Sequence, residues 1–560
     1  MIPSPSLRRL TWTIALALNV WPPPPLHAEG LNLQGAATQP VAEPAAGEIA
    51  LTLDEAVRRA IERNADLAIV RLEPEAGTIR VAQAESAFRP VLSTALGMTR
   101  VTTPPTSSLF GDSGVENTDW FGSGTLRQRL LTGGGTWLAS WDAQRTTTNS
   151  PLSSYNPDLG SSLLLAFSQP LLRDREIDAA RQQLIVTRRN KDISDLQFKE
   201  AVVQTTASVK TAYWDLKATL ANVAVQQRSL ELAEELARQN KARVDVGQLP
   251  PLDLLAAQAE AAQRREQLIE ARRLAGDSED RLRRLIMDPA DRSFWNVRLS
   301  PVDEPRADEP TPDVDAAIAA TLTGRLDLEQ ARKLVENAVS AVRFYQNQRR
   351  PDVRLEASYA PTGLGGTQLI RNGFLGDIIG RNQTSFGSTL GQILTGDYPS
   401  WSVGLTVNYA LGRSYEDAGL ARAEIDRRQA EARVSTLELQ AVEELRRANR
   451  TVGSARERID ATRVGAELAE ERLQVEQRRF EVGLSTSFLV TQAQRDLAQA
   501  RVAQLQAMLD FQSALIAFEL LRQAPALSSA TSLGLNGATV VALPPGQPRG
   551  IAPASGTGGF

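Results

Sequence analysis

Cysteine is absent from the 560 residues of the chain, and histidine occurs once, as His27. Without cysteine there are no disulfides, thiolate nucleophiles, cysteine metal sites or cysteine lipid anchors. His27 lies in an N-terminal segment that we expect to be removed on export, so the mature chain would lack the two side chains most often used in catalysis and metal binding. We therefore predict that the protein is not an enzyme, has no catalytic residues, and binds neither a cofactor nor a metal.

Long apolar runs and an excess of positive charge are also missing. No run of about 20 apolar residues follows the N-terminal segment, which argues against helical membrane spans. The formal net charge is -4, and this balance gives no indication of nucleic-acid binding. With 23% charged and 42% hydrophobic residues, the composition is that of a folded protein.

The N-terminus is typical of a secretory signal peptide. Arg8 and Arg9 precede an apolar stretch, Leu10–Val20, which is too short to span a membrane. A possible cleavage site follows at Leu26-His27-Ala28. We predict a signal peptide at 1–28, a flexible segment at 29–50, and export of the chain.

The two halves of the chain repeat each other. The segment Leu53–Val57 recurs as Val314–Ile318, and Glu231–Glu235 recurs as Glu467–Glu471. The spacing between matched segments is shorter for the second pair, so the first half holds extra residues, which we place in an additional hairpin at 121–145. The predicted order is a first repeat at 51–300, a proline-rich linker at 301–312, a second repeat at 313–523 and a disordered tail at 524–560.

Each repeat ends in a long helical hairpin, predicted at 172–286 and at 415–521. The stretch Leu172–Val246 contains no proline and no glycine, and as one helix it would be on the order of 110 Å long. The returning arms carry a seam at alternating spacings of four and three, a pattern typical of coiled-coil packing. In the second half this seam consists of Ala493, Leu497, Ala500, Gln504, Ala507, Phe511, Ala514 and Phe518.

Two segments of the second half, 352–360 and 401–410, alternate between apolar and polar residues and are predicted to be strands. In a soluble protein their apolar faces would pack on a core. Export favours the other interpretation, a barrel with a lipid-facing exterior and a polar lumen. Segments 91–101 and 163–169 occupy the equivalent places in the first half. The predicted lipid-facing residues are Val353, Leu355, Tyr359, Trp401, Val403, Leu405, Val407 and Tyr409.

Short motifs occur along the chain in a fixed, duplicated order. They are Leu51–Ala56 with Arg63-Asn64, Ser168–Leu171, Ala212–Leu216, Val246-Gly247 with Asp253-Leu254 and Gln258, and Val482–Ser485 with Gln494. By these motifs the chain resembles the outer-membrane efflux proteins, the TolC-like channels, from Leu51 to about Gln523. The resemblance implies a mainly α fold with β: an antiparallel coiled-coil helical tunnel, with four strands per protomer that contribute to a twelve-stranded outer-membrane β-barrel in a homotrimer.

By the same resemblance, the protein is the exit duct of a tripartite efflux or type I secretion system. It would lie in outer-membrane lipid, extend a helical part into the periplasm, and receive substrates from a periplasmic adaptor and an inner-membrane transporter. The helix-helix turns would contact the adaptor through Val246, Gly247, Gln248, Leu249, Val482, Gly483, Leu484 and Ser485.

The tunnel entrance departs from the family pattern. TolC-like channels commonly carry aspartates on the second returning arm, at places held here by Leu489 and Gln492. Asp253 matches the acidic turn position of the first half, but an aspartate there also stabilises a helix N-terminus. The sequence therefore gives no reason to expect an anionic entrance.

Two other classes of protein compete with the channel. A periplasmic coiled-coil adaptor or structural protein that never enters a membrane would also use long helical hairpins, but it would not need duplicated amphipathic strands. An enzyme could use carboxylate pairs, yet most acidic residues here lie on helices beside arginine and lysine, as on solvated faces. Gly133–Gly135 is a poor phosphate loop because no Lys-Ser/Thr follows it.

Overall fold

A computed structural model describes residues 47–104, 114–288, 290–305, 312–373, 376–412 and 414–526. The predicted signal peptide at 1–28, most of the segment at 29–50 and most of the tail at 524–560 lie outside the described residues. Within the described part the chain is mainly helical and also contains a large antiparallel sheet.

Four long helices form the two hairpins. In the first half, α3 (Ala179–Asp245) is followed by α4 (Pro251–Ile286); in the second, α8 (Tyr415–Glu481) is followed by α9 (Ser487–Gln523). Both α3 and α8 contain 67 residues, so each is about 100 Å long at 1.5 Å per residue. The shorter helices are α1 (Leu53–Arg63), α2 (Ala65–Glu85), α5 (Val314–Gly324), α6 (Leu326–Gln348) and α7 (Phe386–Thr395).

Helix starts are set by capping side chains. Asp178 accepts a hydrogen bond from the backbone N–H of Arg181, and Ser414 forms a capping box with Asp417. The first of these caps places the start of α3 at Ala179, later than the predicted Leu172. Before it, Asp174 adopts a left-handed conformation with φ 64° and accepts hydrogen bonds from Gln348 and Arg354, which holds the chain out of the helix.

The helical hairpins pack through the predicted seam. In α9, Ala493, Ala507 and Phe511 are almost fully buried, and Phe511 packs in one cluster with Leu445 and other residues of α8. Arg264 of α4 lies at the position that matches Ala500 in the seam of α9, and it is buried as well. A second cluster joins α1, α3 and α4 around Tyr213, whose hydroxyl donates to Leu51 O at 2.9 Å; burial raises the pKa of that hydroxyl.

The strands form two sheets. A short parallel pair joins β1 (Glu48–Leu51) to β6 (Arg298–Pro301). Residues 48–50 of the predicted flexible segment and Pro301 of the predicted linker therefore belong to paired strands. Seven strands form the large sheet among the described residues, in the order β2-β3-β4-β5-β7-β8, with β9 also paired to β7. They are β2 (Val91–Thr103), β3 (Val115–Arg129), β4 (Thr136–Thr148), β5 (Tyr155–Pro170), β7 (Asp352–Arg371), β8 (Ile378–Thr384) and β9 (Tyr398–Asn408).

The expectation of four strands per protomer is therefore wrong for this sheet. The additional hairpin, predicted at 121–145, is the longer pair β3 and β4, and it lies within the sheet between β2 and β5. β7 also runs past the predicted end at 360 as far as Arg371, where its outer part pairs with β8. The segment after residue 360 is rich in glycine, which weakens the alternating pattern by which strands are recognised in a sequence.

Candidate functional site

The strands β7 and β9 separate apolar and polar side chains onto opposite faces. Partners across the two strands are Val353 with Val407, Leu355 with Leu405, and Tyr359 with Trp401. Because cross-strand partners point to the same face, these residues share one face together with Val403. Most of the predicted lipid-facing residues are exposed, as Val403 is to 65%. Tyr409 is exposed too but follows the end of β9.

The opposite face is polar and internally hydrogen-bonded. Ser358 and Ser402 are partners, with their hydroxyl oxygens 2.8 Å apart. Thr406 donates to Glu356 at 3.2 Å, and Arg354 donates to Asp352 at 2.8 Å. This face has the donors and acceptors that a water-filled space needs, whereas the other face does not.

The helix-helix turns of the two halves have the same backbone geometry. Gly247 and Gly483 adopt φ of +76° and +75°. The N–H of Gln248 bonds to Arg243 O at 2.7 Å, and the N–H of Leu484 bonds to Arg479 O at 2.7 Å. The N–H of Gly247 also bonds to Val244 O at 2.9 Å, and that of Gly483 to Phe480 O at 3.2 Å. This pattern is the Schellman motif, which requires a left-handed residue after the helix end. Glycine is favoured there because it has no side chain to strain.

Side chains bring the two turns together. Asn240 is fully buried and donates to the hydroxyl of Ser487 at 2.6 Å and to Asp253 O at 3.2 Å. Arg243 donates to Phe480 O at 3.1 Å, and its guanidinium lies 4.3 Å from the centre of the Phe480 ring. The turns predicted to contact an adaptor therefore form one continuous end of the helical region.

The predicted entrance residues lie just beyond these turns. Leu489 is partly exposed, and Asp253 and Gln492 are half-buried. Gln492 donates to Asp496 Oδ1 at 2.9 Å, and Asp496 also pairs with Arg472 at 2.8 Å. The nearest acidic group of the second returning arm is thus one helical turn further on, where it is already neutralised.

The sequence prediction missed three exposed apolar residues at the same end. Phe488 is 71% exposed and Leu252 is 73% exposed, and Leu255 follows on the same helix as Leu252. Phe488 and Leu252 occupy equivalent places in the first turns of α9 and α4. A large apolar residue in a first helical turn, outside the coiled-coil seam, is the signal that could have found them.

A buried ion cluster joins the two returning helices. Glu260 of α4 is 5% exposed and accepts hydrogen bonds from Arg264 at 2.8 Å and from Arg495 of α9 at 3.1 Å. Burial alone would raise the pKa of Glu260, but the hydrogen bond from Arg495 and the charges of both arginines outweigh it and hold the pKa below its ordinary 4.5. The carboxylate is therefore ionised at neutral pH.

Among the residues that the structure describes, no cluster of three or more His, Cys, Asp or Glu side chains is placed to hold a metal ion. No helix in that part of the chain combines the length and apolarity needed to cross a membrane.

The comparisons identify the family. The outer membrane efflux protein family matches residues 56–286 and 317–522, which is most of the chain. The chain therefore belongs to the outer membrane efflux protein family, a family of channel proteins and not of enzymes. This membership confirms the predicted relationship to TolC-like channels and the predicted location in the outer membrane with a helical part in the periplasm. No curated protein sequence matches the chain.

Three solved structures with the same fold are distant from this chain in sequence. The outer membrane protein VceC from Vibrio cholerae is 17% identical, with a TM-score of 0.58 over 84% of this chain and 96% of that one. The CmeC outer membrane channel from Campylobacter jejuni is 14% identical, with a TM-score of 0.58 over 86% and 88%. CusC, a protein whose structures were solved to follow its folding and transmembrane channel formation, is 13% identical, with a TM-score of 0.61 over 88% of this chain and 100% of that one. These similarities establish the fold.

Proposed function

We propose that three copies of the chain assemble into an outer-membrane channel, the exit duct of a tripartite efflux or type I secretion system. The observation that carries this proposal is the division of the large sheet into an exposed apolar face and a polar, hydrogen-bonded face. Among the described residues the sheet has one open edge at β2 and the other at β9 and the short β8. Lipid offers no partners to an open edge, so a sheet with a lipid-facing side must close with other copies.

In this proposal the lumen is lined by the polar face, and substrates pass from a periplasmic adaptor and an inner-membrane transporter without chemistry. The adaptor-contact residues are those of the two Schellman turns, extended by Leu252 and Phe488. Exposed apolar side chains at the end of a long helical structure support contact with another protein, because large exposed apolar patches typically mark interaction sites. Asp253, Leu489 and Gln492 would border the tunnel entrance.

Purification from outer membranes and reconstitution in planar lipid bilayers tests the channel. We expect a trimer by mass and discrete steps of ion conductance, because a closed barrel with a polar lumen conducts water and ions. The same protein after heat denaturation serves as the control. A monomer recovered only from the soluble periplasm, without conductance, would overturn the proposal and favour the periplasmic coiled-coil alternative.

The substitution Leu484→Glu, in the second helix-helix turn, tests the adaptor contact. Leu484 is 72% exposed, and its part in the turn is its backbone N–H, so the fold should persist. We expect the variant to form conducting trimers in bilayers while export in cells falls about tenfold or more, since a charge buried in an apolar interface without a partner is costly. Export is measured as the susceptibility of cells to a panel of toxic compounds.

The matched control is Glu471→Lys, an exposed change on α8 away from the turn. It should leave both conductance and export near their original levels. Normal export by Leu484→Glu, or equal loss in both variants, would contradict adaptor contact at this turn.

A further inference from the structure

The hairpin of β3 and β4 is an integral part of the large sheet. β2 pairs with β3 along its whole length, from Val91 with Arg127 to Thr103 with Val115. β4 pairs with β5 from Thr136 with Ser168 to Thr146 with Asp158. A hairpin folded into the lumen or across the mouth of a barrel would leave β2 free to pair directly with β5. Here β3 and β4 separate those two strands completely.

Side chains of the hairpin follow the same division of faces as the rest of the sheet. The pairings place Leu126, Ala139, Leu165, Tyr359 and Trp401 in one row on the apolar face. Trp137 and Trp141 of β4, on either side of Ala139, lie on this face too, because residues two apart in a strand point the same way. A hairpin outside the membrane wall would not need an apolar face in register with its neighbours.

The polar face continues across the hairpin as well. Thr125 of β3 and Ser140 of β4 have their hydroxyl oxygens 2.9 Å apart, and Ser140 donates to Asp142 at 3.1 Å. Further along, Thr146 donates to Asp119 at 2.6 Å. β3 and β4 therefore supply hydrogen-bonded polar groups to the same side as Ser358 and Ser402.

The turn of the hairpin is fixed where the sheet meets the helices. Gln169 donates to Gly133 O at 2.8 Å. Gly134 adopts φ +70°, and a Cβ there would lie 2.4 Å from Asp174 O and 2.6 Å from the guanidinium of Arg181. Arg181 is itself buried and bonded to Asp178. This close approach requires glycine, and it holds the hairpin in line with the strand-to-helix junction.

The open edges of the sheet are compatible with each other. Following the pairings from β2 to β9, the strands alternate in direction, so β2 and β9 run in opposite directions. β2 has 13 residues and β9 has 11, and both edges border exposed apolar side chains, such as Leu96 at 89% exposure. The β9 edge of one copy can thus accept the β2 edge of another as an antiparallel partner.

We propose that β9 of each copy pairs with β2 of the next, and that each copy contributes a wall six strands wide. This inference rests on the proposed trimeric channel, in which it gives a barrel of eighteen strands in place of the twelve that the family resemblance implies. β8 does not widen the wall further, because it pairs with the outer part of β7 on the same side as β9. Since barrel diameter grows roughly linearly with strand number, the lumen would be about one and a half times as wide.

Electron cryomicroscopy of the full chain, purified from outer membranes into lipid nanodiscs, tests the strand number directly. We expect eighteen antiparallel strands, six from each of three copies, with β2 beside β9 of a neighbour. A twelve-stranded wall from three copies that exclude the hairpin would overturn this inference while leaving the trimeric channel intact. A twelve-stranded wall from two copies would overturn both the eighteen-stranded barrel and the trimer. A particle without a barrel would overturn both proposals.

Charge placement on β4 gives a second test in cells. Ala139→Lys puts a charge on the apolar face between two tryptophans, and Gln144→Lys puts the same charge on the polar face. We expect Ala139→Lys to lower the amount of folded oligomer in the outer membrane at least about tenfold, and Gln144→Lys to leave it near the original level. Equal amounts of both variants would show that the hairpin does not face lipid and would overturn the inference.

Disulfides provide a third test, because the chain has no cysteine of its own. Pairs of cysteines, one at Ser93, Ala95 or Thr99 of β2 and one at Ser402, Gly404 or Thr406 of β9, cover neighbouring registers on the polar face. We expect at least one pair to produce covalent oligomers on oxidation. Cross-linking of Ala95→Cys to Ala166→Cys within one copy, with no link between copies, would instead place β2 beside β5 and contradict the six-stranded wall.

Discussion

Glu260→Ala is expected to destabilise the helical region by about 3–5 kcal/mol. The substitution removes the carboxylate that neutralises two guanidinium groups, and Arg264, which is buried, cannot move to water without disturbing the seam of α4. Arg495 is half-exposed and can turn outward, so most of the cost comes from Arg264. The contact that joins α4 to α9 at this level is lost as well.

The measurement is thermal unfolding of the purified oligomer, followed by the helical circular dichroism signal at neutral pH. The control is Glu260→Leu combined with Arg264→Met, which removes the buried charges together and keeps a similar volume. Replacing a buried ion pair by apolar residues is often neutral or stabilising. The midpoint temperature of unfolding of the double variant should therefore lie closer to that of the original protein than the midpoint of Glu260→Ala does. A single variant as stable as the original protein would show that the cluster contributes little.

Acid should reproduce part of this effect in the unsubstituted protein. The pKa of Glu260 is lower in the folded protein than its ordinary 4.5, so the folded state binds the proton more weakly than the unfolded chain does. The ion cluster then contributes its full stability above about pH 4.5 and loses it as the pH falls through the lowered pKa. Glu260→Ala should lack this component of the pH dependence. The comparison is made between unfolding midpoints of both proteins from pH 7 down to pH 3.

Those features of the fold that follow from repeated local patterns could be predicted from the sequence. The seam of α9 is an example, because its spacing of four and three continues for eight positions and places Ala493, Ala507 and Phe511 in the interior. The faces of β7 and β9 are another, since strict alternation over nine or ten residues leaves only one way to separate apolar from polar side chains.

The width of the sheet could not be predicted from the same rules. On the apolar face of β3, Gly122 and Gly124 stand where large residues would reveal the alternation, and Phe121 lies on the polar face. The pairing explains this irregularity: a Cβ on Gly97 would lie 2.4 Å from the ring of Phe121, so the ring covers a glycine of the neighbouring strand. Such a contact depends on a cross-strand partner, and the sequence does not identify that partner.

The end of the helical region shows a similar limit. Gly247 and Gly483 could be recognised because a helix that reverses direction commonly needs a left-handed residue. Phe488 and Leu252 stand out in the sequence as large apolar residues outside the seam, but their exposure could not be predicted, because an apolar residue in a first helical turn is often buried by the preceding loop. Only the packing of α3 beside α9, fixed by Asn240 and Ser487, leaves those two side chains in solvent.

Val403→Lys is expected to abolish most assembly in the outer membrane, whereas Thr406→Lys on the same strand is tolerated. Val403 lies on the apolar face between Trp401 and Leu405, and a lysine facing the hydrocarbon near the middle of a barrel strand costs about 2–4 kcal/mol in each copy. Thr406 lies on the polar face, opposite Arg354 and within hydrogen-bond reach of Glu356, so a lysine there stays in a wet lumen with a carboxylate beside it.

The two variants carry the same added charge three residues apart, and β9 pairs with β7 at both positions, so differences in expression or strand propensity are largely matched. Folded oligomer is measured as the heat-modifiable band in outer-membrane fractions on gel electrophoresis. Because every copy of a closed oligomer carries the substitution, the penalty is multiplied by the number of copies, and the loss for Val403→Lys should exceed tenfold. Greater loss for Thr406→Lys would reverse the assignment of the two faces, with the polar side chains outward and the apolar ones inside. Equal recovery of both variants would show that the apolar face does not meet lipid.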